Sequence, residues 1–578
     1  MGEDSSRPNR REFVKILGGS SVAGAASLSG CLGGSDEGTP TPSEPGGSDG
    51  SNGSDGGSDG GDATETEAGS VSRGGQLDVA IAADPPAPFH PHRIRSSQGV
   101  TMARTYASSL VVPGPEGELR PQIAASVEAS EDARTFVVTL RDGISFHPPY
   151  DRQLTAEDVV ENFRRILDED YGSPSRANFV GFLAGDGIDP QETVRATGDL
   201  EVTFELDQPF ADFLHTMANV FIVPMEAVDE YGEDFGTMDT GTWAAGPFQF
   251  TEGTKQDHYT FEAFDGYFET GEDDEPLPYL DGVRFDIVPE ASTRLTQLQT
   301  GEVHLADSVP PNEVESLRNS DAVTVESTPS VTRACNFINQ ANDPVFQKRE
   351  VREAMMHAIN RQAVIDVVYN GFAEPGWGVF PPWHWAHDEE ATQTYPYDPE
   401  RARQLLEEAG ETDLSFECLV PNNPPFTDIA TVVQQNYSDV GIDMQVSNVE
   451  ESAAWDPVLA RWGNDPPGPS AESFEANIQT LSVNMYADSF AFWKYHTGHF
   501  LNVTYYDESD DAIEEARQTT ERSEREELYA ELEAEATEYI DRIGVVWPNV
   551  VQGRRNAVQN YSVYPNSRIV VGGVWLDE

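Results

Sequence analysis

Thr135-Phe136-Val137-Val138-Thr139-Leu140, preceded by Leu119-Arg120-Pro121-Gln122-Ile123-Ala124 and followed by Leu154-Thr155-Ala156-Glu157-Asp158-Val159-Val160, is the stretch on which the fold turns. Its middle part alternates as a half-buried strand does, one face toward a core and one toward water. Its last part opens a helix: Thr155 stands three residues before Asp158, an acidic form of the capping box, and Val159, Phe163, Ile166 and Leu167 then fall on one face. Outward from here the same alternation of elements continues. Val202 to Leu206 and Val283 to Val288 read as strands, and a helix runs through Val351, Met355, Ala358 and Ile359. Asp398-Pro399 caps a helix whose Ala402, Leu405, Leu406 and Ala409 form a stripe that Gly410 ends. A further helix from Ile429 to Val440 leads through Gly441 into a strand from Ile442 to Val446. The Glu-rich stretch from Ser523 to Ile540 is helical, and a solvated face explains its charge. Strands mixed with helices, without internal repeat, predict an α/β or α+β chain of several lobes.

The chain has 578 residues, 36 Lys+Arg against 101 Asp+Glu, and a formal charge of −65. That field argues against nucleic acid as a partner. Hydrophobic residues at 38% and aromatics at 10% still suit large cores, so the acidity is not that of a disordered tail. Lysine occurs only at Lys15, Lys255, Lys348 and Lys494, and this skew points to a saline habitat. In molar salt the Debye length falls to ~3 Å, so self-repulsion is screened while carboxylates keep the surface hydrated.

Residues 1–31 read as an address. Asn9-Arg10-Arg11-Glu12-Phe13-Val14-Lys15 sets a twin arginine before an apolar run from Ile16 to Leu28, shorter than the ~20 residues that span a bilayer. Leu28-Ser29-Gly30-Cys31 then offers small residues to a signal peptidase and a thiol to a lipid, so Cys31 is the expected anchor. From 32 to 72 the chain is an acidic Gly/Ser/Asp/Pro linker that lacks the apolar surface to fold. The GxSxG strings at Gly46–Gly50 and Gly56–Gly60 have no strand before them or helix after them, so they are not hydrolase elbows.

Several pieces, taken together and in order, resemble the extracellular solute-binding proteins of family 5, the peptide- and nickel-type receptors of ABC importers. They are the opening stretch with its extension to His147, Ala245-Gly246-Pro247-Phe248, Leu280-Asp281-Gly282-Val283, Leu295 to His304, Val351 to Arg361, and Tyr397-Asp398-Pro399 to Gly410. His304 departs from the pattern, standing where the family usually has Asp. The resemblance implies a two-lobed periplasmic-binding-protein type II fold of the α/β class with an inserted accessory domain. Lobe I would be 73–108, 243–330 and 541–578, the accessory domain 109–242, and lobe II 331–540. It further implies a monomer without enzymatic activity or cofactor. The protein would be lipid-anchored through Cys31 at the outer face of the cytoplasmic membrane after twin-arginine export. It would capture a peptide between its lobes and deliver it to a permease and that permease's ATPase.

For the site, the family's aspartate for the ligand's amino terminus carries over to Asp488, in Asn484-Met485-Tyr486-Ala487-Asp488. Where dipeptide-type members place an arginine for the ligand carboxylate, after the strand that here is Ser415 to Val420, this chain has Asn422-Asn423, which puts strict dipeptide specificity in doubt. Tyr486, Phe490 and Trp493 surround the aspartate, and Trp377, Trp383 and Trp385 form a second aromatic group, so ring stacking on an oligosaccharide stays open beside core packing. The pairs His384/His387 and His496/His499 have spacings a metal could use, but no cysteine or carboxylate completes a ligand set, and no metal site is expected. Cys335 and Cys418 lie in neighbouring strand-like stretches and could pair outside the cell. A lipid-anchored hydrolase is the rival class, yet no HExxH and no nucleophile motif in its required context occurs.

Overall fold

The computed structural model describes residues 71–577 apart from 86–88, 95, 186, 341–342, 460–473, 498, 500–501 and 503–505, and apart from the side chains of 458 and 459. The twin arginine, Cys31 and the acidic linker lie outside the described residues, apart from the linker's last two positions. Among the described residues no helix is long and apolar enough to cross a membrane.

A twelve-stranded sheet runs through the molecule, and one strand, Ile543–Arg555, ties its two halves together. The C-terminal half of this strand pairs antiparallel with Val323–Pro329, and its N-terminal half with Arg333–Ile338. Two antiparallel crossings therefore join the halves, with a bulge between Ala334 and Cys335 and Pro329 and Pro548 beside the crossing point. Proline cannot donate to a ladder, so the pairing loosens where the chain must bend. Ser330 spans the gap, its hydroxyl donating to the Pro548 carbonyl, while Trp383 Nε1 donates to the Ser330 carbonyl at 3.1 Å.

On one side of the crossing, Gln76–Ile81 lies between Gly282–Ile287 and Leu305–Ala306, parallel to both. Its core draws on Leu77, Val79, Phe89, Tyr106, Phe261, Phe285 and the C-terminal Val571 and Leu576. On the other side, Ser415–Pro421 lies parallel to Asp443–Val449 and to Ala476–Leu481. The core there includes Ala334, Met355, Leu406, Phe416, Val433 and Ile543. A separate four-stranded antiparallel sheet, built from Ala124–Ala129, Thr135–Leu140, Glu201–Glu205 and Val194–Gly198, packs on helix Ala156–Leu167 through Phe136, Val159, Phe163 and Phe204. It joins the first half at Gly246, whose α-carbon lies so close to the Tyr106 and Ala107 backbone that a Cβ would meet the Tyr106 carbonyl carbon at 2.2 Å. Only glycine fits there.

Local signals read in the sequence hold in detail. Asp158 Oδ2 accepts from the Thr155 N–H at 2.9 Å, Asp398 Oδ1 accepts from the Arg401 N–H at 2.9 Å, and Gly410 ends its helix at φ 72°. Three readings change. The helix through Val351 stops at Ala358, because Ile359 turns extended and Asn360 caps a new helix, Arg361–Val367, through Ala363 N–H at 3.1 Å. The Glu-rich helix, Arg522–Tyr539, is solvated on one face only, and its other face buries Arg525, Tyr529, Leu532 and Glu533. Cys335 and Cys418 are both free and buried, and they do not pair. Cys335 sits opposite Gln479, whereas Cys418 sits opposite Ala476, itself opposite Ile338, so the pleat sends the two thiols to opposite faces of the sheet.

Candidate functional site

The strand directions locate the site. Ala306 pairs with Gly553 and Arg333 pairs with Leu481, so the parallel strands on both sides of the crossing end toward it: at Ile81, Ile287 and Ala306 on one side, at Pro421, Val449 and Leu481 on the other. In open α/β sheets ligands bind outside such carboxyl ends. Here two sets of carboxyl ends face one another across the paired crossing strands.

The segment leaving Leu481 carries the aspartate singled out in the sequence. Ser489 shapes the turn by donating its hydroxyl to the carbonyls of Asn484 at 2.8 Å and Tyr486 at 2.7 Å. Helix Ala487–Tyr495 follows, with Asp488 in its first turn, where the helix dipole favours a carboxylate. Asp488 is 3% exposed and belongs to a charge quartet drawn from two parts of the molecule. Its backbone N–H donates to Asp212 Oδ2 at 3.0 Å, and Arg525 Nη2 donates to the same oxygen at 2.8 Å. Arg517 Nε stands 2.8 Å from Asp488 Oδ1, as a charge contact whose N–H direction misses the oxygen. The Arg517 guanidinium is boxed by Phe492 at 3.8 Å, Phe182 at 4.7 Å and Phe210 at 5.0 Å, and its carbonyl accepts from Ala211 N–H at 2.7 Å.

Burial pushes the Asp488 carboxyl up to about 6; Arg517 draws it down in part, and the neighbouring Asp212 charge raises it further. Asp212 behaves oppositely. Burial would raise it too, but Arg525, His215 and the Asp488 N–H outweigh that and hold it below the usual carboxylate range. Two carboxylates within one desolvated site are pushed apart, the better-paired one keeping its charge.

The remaining residues of interest distribute as follows. Tyr486 is buried, its ring against His215 at 5.8 Å, and its hydroxyl accepts from Asn484 Nδ2 at 3.5 Å. Trp493 is half-buried, stacked on His499 at 5.7 Å. Asn422 and Asn423 are exposed at the carboxyl end of Ser415–Pro421: Asn422 Nδ2 donates to Glu450 Oε1 at 2.9 Å, and the Asn423 carbonyl accepts from Phe426 N–H at 3.1 Å, opening helix Phe426–Asp439. Asp488 and Tyr486 thus lie within the buried contact, while the two asparagines make local contacts on the rim. Of the second aromatic group, Trp377 lies under Arg361 at 3.8 Å and Trp385 under Arg522 at 4.6 Å, so both rings serve as cation platforms. His387 Nδ1 lies 3.1 Å from Glu533, His384 stacks on Phe380, and among the described residues no His, Cys, Asp and Glu group is arranged to hold a metal.

Asp212, Arg517, Arg525 and Arg568 were missed in the sequence. Arg568 Nη2 donates to Asn484 Oδ1 at 2.7 Å, drawing the C-terminal segment onto the same loop. Asp212 lies 313 positions from Arg525 and 276 from Asp488, and nothing local in the sequence marks such a partnership.

A two-lobed solute-binding protein is the class these features define. The model of the bacterial extracellular solute-binding proteins, family 5 middle region, matches residues 118–477. The dipeptide-binding protein of Escherichia coli is 27% identical over 475 residues, 78% of this chain and 84% of its own length. The periplasmic binding protein DppA of Helicobacter pylori, solved with the peptide STSA, superposes with a TM-score of 0.75 at 22% identity, covering 88% of this chain and 99% of that one. The oligopeptide-binding protein AppA of Bacillus subtilis, solved with a nonapeptide, gives 0.74 at 20% identity, covering 88% and 100%. The fold is that of these two-lobed periplasmic binding proteins, and the chain belongs to the family 5 extracellular solute-binding proteins. It is a binding protein and not an enzyme.

Proposed function

We propose that the protein is the membrane-anchored extracellular receptor of an ABC importer, capturing a peptide between its lobes and handing it to the permease. The observation that carries this reading is the meeting of two sets of strand ends across paired crossing strands, with the carboxylate of Asp488 at the head of a helix on that face. Peptide ligands named for the relatives supply the solute class. Lobe I is taken as 73–108, 243–330 and 541–578, lobe II as 331–540, and 109–242 as the accessory domain. A lipid on Cys31, added after twin-arginine export, would hold the monomer at the membrane beside its permease.

Asp488 is assigned to the ligand's ammonium, with Tyr486 and Trp493 beside it and Asn422 and Asn423 toward the far end of the ligand. Arg517 stands at that carboxylate, so a ligand ammonium reaches it when the Arg517 guanidinium yields its place. Closure then follows differential affinity for the closed form. Calorimetric titration in molar salt with a free-amine peptide and its N-acetylated counterpart tests the assignment. Wild type should prefer the free amine, and Asp488→Ala should erase the preference; equal affinity of wild type for both peptides refutes it. For the anchor, Cys31→Ser should move the protein from the membrane fraction to the medium, and retention at the membrane refutes it.

A further inference from the structure

Inside the second half of the molecule, away from Asp488, a group of cations is buried without enough anions. Lys494, one of four lysines in the chain, is 2% exposed, Arg542 2% and Arg333 4%. The carboxylate among them is Asp541, which accepts from Arg542 Nε. Arg333 spends Nη2 on the Gly376 and Trp377 carbonyls at 3.0 and 3.1 Å and Nη1 on the Tyr495 hydroxyl at 3.3 Å; Arg542 Nη2 donates to the Lys494 carbonyl at 2.8 Å. Among the described residues, Lys494 Nζ, Arg333 Nε and Arg542 Nη1 have no hydrogen-bond partner. Around Lys494 Nζ stand the rings of Phe490 at 5.0 Å and Trp547 at 5.4 Å. Burial, and then Arg542, pull the Lys494 ammonium well below its ordinary range.

A cavity of about 10 Å³ opens among Arg333, Tyr495, Asp541 and Arg542, enough for one particle of about the size of a water. Buried unpaired cations are expensive, and a polarisable anion that accepts from several donors at once removes that cost. We propose that this cavity is an anion-binding site for a halide-class ion, held by Arg333 and Arg542, which line it, with Lys494 as the neighbouring third cation. Arg333 opens one crossing strand, and Arg542 immediately precedes the other, which carries Trp547. An anion here ties Arg333 of one crossing strand to Arg542 ahead of the other and makes their stability depend on the identity of the salt as well as on its ionic strength. This goes beyond solute capture and stands whether or not the solute is a peptide.

Crystals of the purified protein transferred from chloride to bromide test it, by anomalous diffraction at the bromine edge. A peak in the cavity, in contact with the Arg333 and Arg542 nitrogens, is expected, and a cavity without bromide overturns the proposal. In solution, replacing chloride by gluconate at constant ionic strength should lower the wild-type melting temperature by several degrees, with a saturable return as chloride is added. Lys494→Met should remove at least half of that chloride response. A wild-type melting temperature indifferent to the exchange, or a Lys494→Met variant with the full chloride response, means a neutral buried lysine and overturns it.

Discussion

Two buried charge clusters lie within one polypeptide and are built on opposite terms. In the quartet around Asp488 each guanidinium has a carboxylate: Arg525 has Asp212 and Arg517 has Asp488. At the crossing strands Arg333, Arg542 and Lys494 share Asp541. The first cluster is assembled from two parts of the molecule and exists as a set only when they meet, whereas the second sits within the core seam of one half. Balanced charge suits a contact that must form and part, since each pair can be rehydrated when it opens. Unbalanced charge suits a site that a small ion completes.

Breaking the balance of the quartet should have the largest effect. Asp212→Ala leaves Arg525 buried without its anion, and the expected loss is ~3–5 kcal/mol, read by guanidinium unfolding in molar salt. The double variant Asp212→Leu/Arg525→Met should lose less than the single one, and the reverse order would show that the pair is not coupled.

Next in size is a pH effect. With the Asp488 carboxyl near 6 in the folded chain, above its ordinary 3.8, the folded state binds the extra proton between those values. This group's contribution to stability is therefore fully present below pH 4 and falls away as pH rises to about 6. The span corresponds to ~3 kcal/mol. Asp488→Asn should flatten that part of the wild-type stability curve, measured by denaturant unfolding at fixed pH steps; an unchanged slope would contradict the quartet's assignment. Asp212, shifted downward, adds stability above its ordinary range and loses it at lower pH, so the two aspartates act in separate windows.

Lys494→Met should be smaller and of opposite sign where chloride is absent, gaining ~1 kcal/mol in gluconate by removing an uncompensated buried cation. A loss in gluconate would mean the lysine has a partner in the protein. Asn422→Ala, on the exposed rim, should change unfolding stability by less than ~0.5 kcal/mol, and a larger loss would place the Glu450 contact among the structural ones.

What could be read in the sequence follows how local each signal is. Thr155 with Asp158 and Asp398 with Arg401 act within one helical turn, so their caps were visible, as was the strand Thr135–Leu140 from its alternation. The order of motifs also carried the two-lobed architecture. The Glu-rich helix was misjudged on one face because what satisfies Glu533 lies far away: its carboxylate accepts from the N–H groups of Phe380 and Asp388 at 3.2 and 2.7 Å, 153 and 145 positions distant. Asp488 is singled out by its motif, whereas Arg517, which stands at its carboxylate, is in the sequence one more charge on an acidic helix. The opposed thiols of Cys335 and Cys418 needed the strand register, which composition does not contain.

The most direct test of the receptor reading is a thermal-shift titration of the purified protein in molar salt against peptides, oligosaccharides and nickel. The account predicts a saturable one-site response to free-amine peptides, ~2.7 kcal/mol at one hundred times the dissociation constant, weakened in Asp488→Ala. A response to sugars or nickel with none to peptides would contradict it.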